Sequence, residues 1–311
     1  MRILVLTAAL AVLQASAAAS AQELRPEVHA RLFAPTQRVD LRATVVRIPM
    51  RGTDHAGNAK CPYFRVYVNG QGPFTFLLDT GAAYATVSSR VTKTARLPVI
   101  VDRTRRDVVR VDRLSLGGVT VRNLWAIEDD SFGVDGIIGF PTLGEANVLF
   151  DHARRELLVS HKRIPMGRTF VLSYESPLNV PTVPVRIGQR TVPILIDTGD
   201  DAYGLEIRSS ELGDAAVEQP PVRSATVMNG AVQQSTSIVT LKDPVVLGPV
   251  AARRAGIAIN DGLPVGDFGY PMLRQFRFQI DPKRRVVEFE PLFRGKEFAL
   301  TAELPKAKTQ P

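Results

Sequence analysis

The sequence predicts a mainly β protein built from two similar halves, and three observations carry that prediction. Short β-branched or apolar runs bounded by Gly, Pro, Asn and Asp recur along the 311 residues, which is the grammar of short strands and tight turns. An apolar run that drives straight into Asp-Thr-Gly occurs twice, as Phe76-Leu77-Leu78-Asp79-Thr80-Gly81-Ala82 and as Val192-Pro193-Ile194-Leu195-Ile196-Asp197-Thr198-Gly199. The surroundings of the two copies repeat as well. The aspartates are 118 residues apart (197 − 79), as are Gly70 and Gly188 upstream of them (188 − 70). Asp135-Gly136-Ile137-Ile138-Gly139-Phe140-Pro141 answers to Val265-Gly266-Asp267-Phe268-Gly269-Tyr270-Pro271, and Leu149 to Arg155 answers to Gln279 to Arg285, both at an offset of 130 (269 − 139, 281 − 151). Four landmarks in one order, twice, mean an internal duplication.

In chain order, residues 1–21 read as a secretory signal. Arg2 gives a positive start, Ile3 to Leu13 are almost wholly apolar, and Ala19-Ser20-Ala21 is a small-x-small cleavage pattern ahead of Gln22. That run is too short to span a bilayer comfortably, and no other stretch is long and apolar enough to do so. Leu41 to Met50 and Tyr63 to Val68 read as strands around a polar turn, and the first motif strand follows. Ser88 to Arg96 reads as a short helix with a Ser cap. Val108 to Leu116 and Val119 to Ile127 are strands joined by a hairpin turn at Gly117-Gly118, Pro141 to Asn147 suits one helical turn, and Val148 to Phe150 is again a strand. The second half repeats this order with strands at Val183 to Ile187, Val192 to Ile196, Thr236 to Leu241, Val245 to Leu247, Phe276 to Ile280 and Val286 to Phe289. Asp281 to Arg284 forms a tight turn in which Pro282 presets φ. The halves join near His161 to Arg168, so the expected organisation is a signal at 1–21, lobes at 22–165 and 166–295, and a polar tail at 296–311.

The composition fits an exported protein with a large core. The chain is 45% hydrophobic and its length allows two domains. Its one cysteine, Cys61, excludes an internal disulfide, which in an exported chain favours a bacterial periplasm or medium. Cys61 is expected to be a small semi-buried residue, with no nearby His to make it a nucleophile. The formal charge of +8 becomes +7 once Arg2 leaves with the signal. The densest basic run, Arg103 to Arg113, is interleaved with Asp102, Asp107 and Asp112 and reads as a solvated face, or alternatively as a surface for acidic envelope polymers. Nucleic acid is not an expected partner, because no recognition motif or aromatic interleaving is present. His29, His55, His152 and His161 have no metal-ligand spacing and read as surface or turn residues. No metal or cofactor is expected, there is no nucleophile elbow or phosphate loop, and Trp125 reads as core.

A single Asp-Thr-Gly has an ordinary reading, a strand that ends in an Asx turn. Two of them, each followed by an apolar-apolar-Gly segment and a closing Asp-turn-strand, resemble the two lobes of an aspartic protease of the pepsin and retropepsin clan. The resemblance covers roughly residues 40 to 292. It implies a two-lobed pepsin-like fold of tandem retropepsin-like β-barrel lobes, acting as a monomeric aspartic endopeptidase on peptides in extended conformation. Asp79 and Asp197 would form the catalytic pair. Thr80 and Thr198 would hydrogen-bond across the interface, and Gly81 and Gly199 would let the backbone present its N–H groups to the carboxylates. Two carboxylates held close share one proton; the ionised member activates a water, and the protonated member polarises the scissile carbonyl.

The chain departs from the family pattern at identifiable places. Asp200-Asp201 follows the second motif where Ser, Thr or Ala is usual, so Asp200 would modulate the pair by raising its proton affinity. Asp267 occupies a position expected to be apolar. Pepsins carry a flap with a tyrosine in the first half, but here Leu97 to Arg110 offers neither glycine nor tyrosine. The second half has room for a hairpin tipped by Met228-Asn229-Gly230. Tyr84 and Tyr203 read as core or rim residues. The alternative function is a scaffold of the same shape that binds peptides or envelope material without cutting; a purely structural β protein would require the twin motifs to be coincidence.

Overall fold

The computed structural model describes residues 37–51, 61–100, 107–177, 179–218, 222–229 and 232–302. The expected signal at 1–21, His29, His55, Gly230 and the tail beyond residue 302 lie outside the described residues. The described strands form three sheets. The first half forms an eight-stranded sheet in the spatial order Arg38–Leu41, Val119–Glu128, Ala85–Val87, Gly136–Gly139, Gln71–Asp79, Tyr63–Val68, Val108–Leu116 and Val99–Ile100. The strand Val119–Glu128 also pairs with Val108–Leu116, which curls this sheet back on itself like a barrel. The second half forms a nine-stranded sheet in the order Val222–Asn229, Val232–Thr240, Gly256–Ile259, Glu206–Ile207, Gly266–Phe268, Arg190–Ile196, Thr182–Ile187, Val245–Leu247 and Val250–Ala252.

Burial along the motif strands explains their sequences. The hairpin partner Tyr63–Val68 alternates between buried and exposed positions, as a strand with one wet face must. Gln71–Asp79 starts exposed, but from Phe76 onward every residue is buried, because here the strand runs between Tyr63–Val68 and the parallel strand Gly136–Gly139. Arg190–Ile196 makes the same change from exposed to buried. The continuous apolar runs are thus the parts of each strand covered on both faces.

The third sheet joins the halves. Its six strands lie in the order Phe170–Ser173, Val286–Pro291, Phe276–Asp281, Asn147–Asp151, Glu156–Ser160 and Val46–Pro49. The three on one side come from the second half and the three on the other from the first. At the seam, Val148 pairs with Ile280, Leu149 with Gln279 and Phe150 with Phe278. At the offset of 130, Leu149 and Gln279 are equivalent residues, and the other two pairs exchange with one another. The register therefore obeys a pseudo-twofold axis through the Leu149–Gln279 pair. Phe150 and Phe278 stack across this seam with centroids 4.6 Å apart. A separate apolar cluster draws Tyr63, Leu77 and Tyr84 from the first half and Val180, Leu195 and Val265 from the second.

Several elements differ from the sequence expectations for physical reasons. The run Leu41 to Met50 is not one strand. It breaks at residues 42–45, so that Arg38–Leu41 serves the eight-stranded sheet and Val46–Pro49 the joining sheet. The strand Phe170–Ser173 forms just after the polar join, where partial exposure gives it little hydrophobic signature. The helix after the first motif spans Ser89–Thr94, with the Ser88 hydroxyl accepting from the Val91 N–H at 3.4 Å. The turn at Phe140–Leu143 is a 3₁₀ helix with Pro141 near its start.

Candidate active site

Both Asp-Thr-Gly segments lie where a motif strand ends, and the pseudo-twofold brings the two ends together. Asp79 and Asp197 are buried. Each carboxylate is held in the same way. Asp79 Oδ1 accepts from the N–H groups of Gly81 (2.8 Å) and Ala82 (3.1 Å), and Asp197 Oδ1 accepts from those of Gly199 (2.7 Å) and Asp200 (3.2 Å). The loops must turn tightly to aim two successive N–H groups at one oxygen, and they approach each other so closely that a Cβ on Gly81 would lie 2.5 Å from the Asp197 carboxyl.

The threonines lock the loops. The Thr80 N–H donates to Thr198 Oγ1 (3.0 Å) and the Thr198 N–H to Thr80 Oγ1 (3.2 Å). Each hydroxyl then donates across the interface to the strand of the other half, Thr80 to the Ile196 carbonyl (2.5 Å) and Thr198 to the Leu78 carbonyl (2.8 Å). Four reciprocal bonds, all buried, fix one loop relative to the other. Behind them, Gly139 and Gly269 admit the loop backbone at van der Waals contact; a Cβ at either would collide with the carbonyl of Tyr84 or Tyr203 respectively. Phe140 N–H donates to the Ala82 carbonyl (2.9 Å) and Tyr270 N–H to the Asp200 carbonyl (2.6 Å), so the apolar-apolar-Gly segments are tied directly to the Asp loops. Cys61 joins this frame: it is fully buried rather than semi-buried, and its thiol donates to the Gly199 carbonyl at 3.3 Å.

The electrostatics of the pair are unequal. Burial pushes the Asp79 carboxyl well above the usual range, and the charge of Asp197 and a hydrogen bond with it push further, against the two loop N–H groups. Burial also raises Asp197, but the hydrogen bond from Asp79 and the N–H groups of Gly199 and Asp200 all favour its charged form. Burial raises both carboxyls, so the two together hold one proton and one charge.

Residues 64–142, which include the first motif and the Gly136–Gly139 strand, match the family model for aspartyl proteases. That span is similar to aspartyl proteases of the pepsin and retropepsin type. No curated protein matches the chain. The second copy of the motif falls outside the matched span, yet it reproduces the hydrogen bonds of the first.

The departures from the family pattern also find places. Asp200 keeps the backbone task of its position, since its N–H donates to Asp197, but its side chain accepts from the Ala202 N–H (2.8 Å) and fills the space where a Cβ on Gly269 would stand, 2.6 Å from Oδ2. Asp200 is itself pushed well up by burial, Glu206 and Asp197. Toward Asp197, the Asp200 N–H favours the charged form, while the charge of Asp197 pushes the Asp200 carboxyl up. Glu206, which sequence reasoning passed over, lies beside Asp267 in the ladder, and burial raises it to about 7. Met228 and Asn229 lie at the end of the hairpin formed by Val222–Asn229 and Val232–Thr240, paired with Gln233 and Val232. The first half has a shorter counterpart, Val99–Ile100 with Val108–Leu116. Tyr84 is buried and Tyr203 half-buried, while Trp125 packs on the inter-lobe cluster without being fully buried. His152 sits in a turn as expected, but its ring points inward: Nδ1 lies 3.2 Å from the Tyr270 hydroxyl, and the ring stacks against Phe150.

Proposed function

We propose that the protein is an aspartic endopeptidase that hydrolyses peptide bonds with a water held between Asp79 and Asp197. One observation carries this reading: two carboxyls, each gripped through one oxygen by two backbone N–H groups, meet across a pseudo-twofold with their environments biased toward one proton between them. Asp197 takes a proton from the water as its oxygen attacks the scissile carbonyl carbon, and Asp79 gives its proton to the carbonyl oxygen. The resulting gem-diol collapses when the amide nitrogen takes the proton now on Asp197. The C–N bond breaks, one diol hydroxyl returns its proton to Asp79, and the pair regains its starting state. The protein supplies positioning and fixed dipoles and needs no covalent intermediate.

The substrate is an extended peptide that lies along the seam between the lobes beneath the paired strands Val222–Asn229 and Val232–Thr240, and the enzyme acts as an exported monomer. The signal-like segment, the single cysteine and the basic charge support that placement. Asp79→Asn and Asp197→Asn test the proposal in the purified mature protein. Each is expected to abolish cleavage of a peptide library while the circular dichroism spectrum stays the same, and an unchanged rate in either would end the proposal. The alternative, a binding scaffold without proteolysis, rests on Asp200 and on the flap sequence missing from the first half, and only the first of these is answered by the loop geometry. The Asp200 N–H serves Asp197 as the Ala82 N–H serves Asp79.

A further inference from the structure

The second lobe buries three further carboxylates within one small space. Asp200, Glu206 and Asp267 are each at most 5% exposed, and one oxygen from each lies within 4.8 Å of the others. Their equivalents in the first lobe are not acidic. The loop bonds align Asp200 with Ala82, and the ladder pairs Glu206–Asp267 and Thr86–Ile137 occupy the same positions. Where the first lobe has Ala82, Thr86 and Ile137, the second has three acids from three separate stretches of chain, and any one alone would be costly.

No described Lys, Arg or His forms an ion pair with any of the three. Thr236 and Asn260 serve Glu206, and the Ala202 N–H serves Asp200 Oδ1. Asp200 Oδ2 and Asp267 Oδ1 are buried with no hydrogen-bond donor. Orphaned buried oxygens of this kind call for a cation or a proton. Asp200 and Asp267 are close enough to share a proton, but that neutralises one charge, whereas a divalent cation neutralises two and takes an oxygen from all three.

We infer that Asp200, Glu206 and Asp267 form a binding site for a hard divalent cation, with calcium the best fit. All donors are carboxylate oxygens, which select hard cations over zinc or copper. A 4.8 Å span is about twice a calcium–oxygen distance of 2.3–2.6 Å, and three carboxylates offer up to six oxygens to an ion that takes six to eight. Magnesium would require a tighter octahedron and several waters in this buried space. Because Asp200 also presents its N–H to Asp197, the ion would brace the second Asp loop from behind. The inference concerns binding and stands whether or not the protein cleaves peptides.

Purified mature protein is stripped with EDTA, dialysed against calcium chloride, and assayed for bound metal by mass spectrometry and for thermal midpoint. One equivalent of calcium per chain is expected, with the midpoint raised by about 5 °C at a hundredfold excess over Kd. The pair Glu206→Gln with Asp267→Asn should abolish binding and the shift. If that variant fails to fold, Asp267→Leu, which removes the charge without leaving a polar group, replaces it. Failure of the unaltered protein to bind calcium at millimolar concentration would overturn the inference and leave the acids as a proton-sharing cluster. Equal binding by the variants would overturn it as well.

Discussion

The two lobes solve the same backbone problem with opposite chemistry around it. In each, a buried strand delivers an Asp to a loop whose N–H groups grip one oxygen, and a short strand that ends in Gly139 or Gly269 closes the space behind. In the first lobe the positions around that frame are Ala82, Thr86 and Ile137. In the second they are Asp200, Glu206 and Asp267. The frame tolerates both because it is made of main-chain hydrogen bonds and glycine contacts, which do not depend on those side chains.

The largest expected effect tests whether the lobes are equal in the reaction. Asp79→Asn and Asp197→Asn should each lower kcat by roughly 10³-fold or more, as removal of one member of a working unit does. A loss in only one would break the symmetry on which the proposed mechanism stands. For the intact pair, the upper limb of the pH–rate profile should lie toward neutral pH rather than in strong acid, because Asp79 holds its proton well above the usual carboxylate range.

Next comes an exchange of chemistry between lobes. Ile137→Asp places a carboxylate in the fully buried position equivalent to Asp267, without Asp200 or Glu206 beside it. It should cost about 4 kcal/mol or more in denaturant unfolding. The reverse change, Asp267→Leu without added calcium, should leave stability equal or higher, since it removes a buried charge.

A smaller effect distinguishes the turns that follow the seam strands. Enclosure of the ring lowers His152 to about 4, from the ordinary 6.5, whereas its counterpart Pro282 does not titrate. Between pH 6.5 and 4 the unfolded chain binds this proton and the folded chain does not, so stability falls as pH falls through that window. The loss amounts to at most about 3 kcal/mol. His152→Phe should flatten that part of the stability–pH curve relative to the parent. The smallest effect belongs to the cross-lobe lock: Thr80→Val and Thr198→Val each remove one donor and one acceptor and should cost about 2 kcal/mol apiece.

Most of the fold was legible because it is written twice. The offsets of 118 and 130 aligned the motif strands, the Asp loops and the seam strands before any coordinates, and both aspartates followed from that alignment. The acidic trio was legible only in part. Asp200 and Asp267 stood out against their copies, but Glu206 lies between Leu205 and Ile207 in a stretch aligned at neither offset. Ladder pairing, not sequence, equates it with Thr86. The strand Phe170–Ser173 escaped notice because half-exposed residues beside a polar join carry no clear period. The inward turn of His152 was invisible because the aromatic residues that enclose it include Tyr270 and Phe278 from the other half.

The seam between Asn147–Asp151 and Phe276–Asp281 has a consequence for how the molecule could be taken apart. Each half contributes an unbroken block of three strands to the joining sheet, and the only covalent link between the blocks crosses residues 161–169. Nicked there, the polypeptide should behave as two complementary fragments. Co-expressed from separate reading frames, they would zip together edge to edge and recover the paired aspartates, as a heterodimer would. Co-purification of the tagged fragment with its untagged mate would reveal that reassembly.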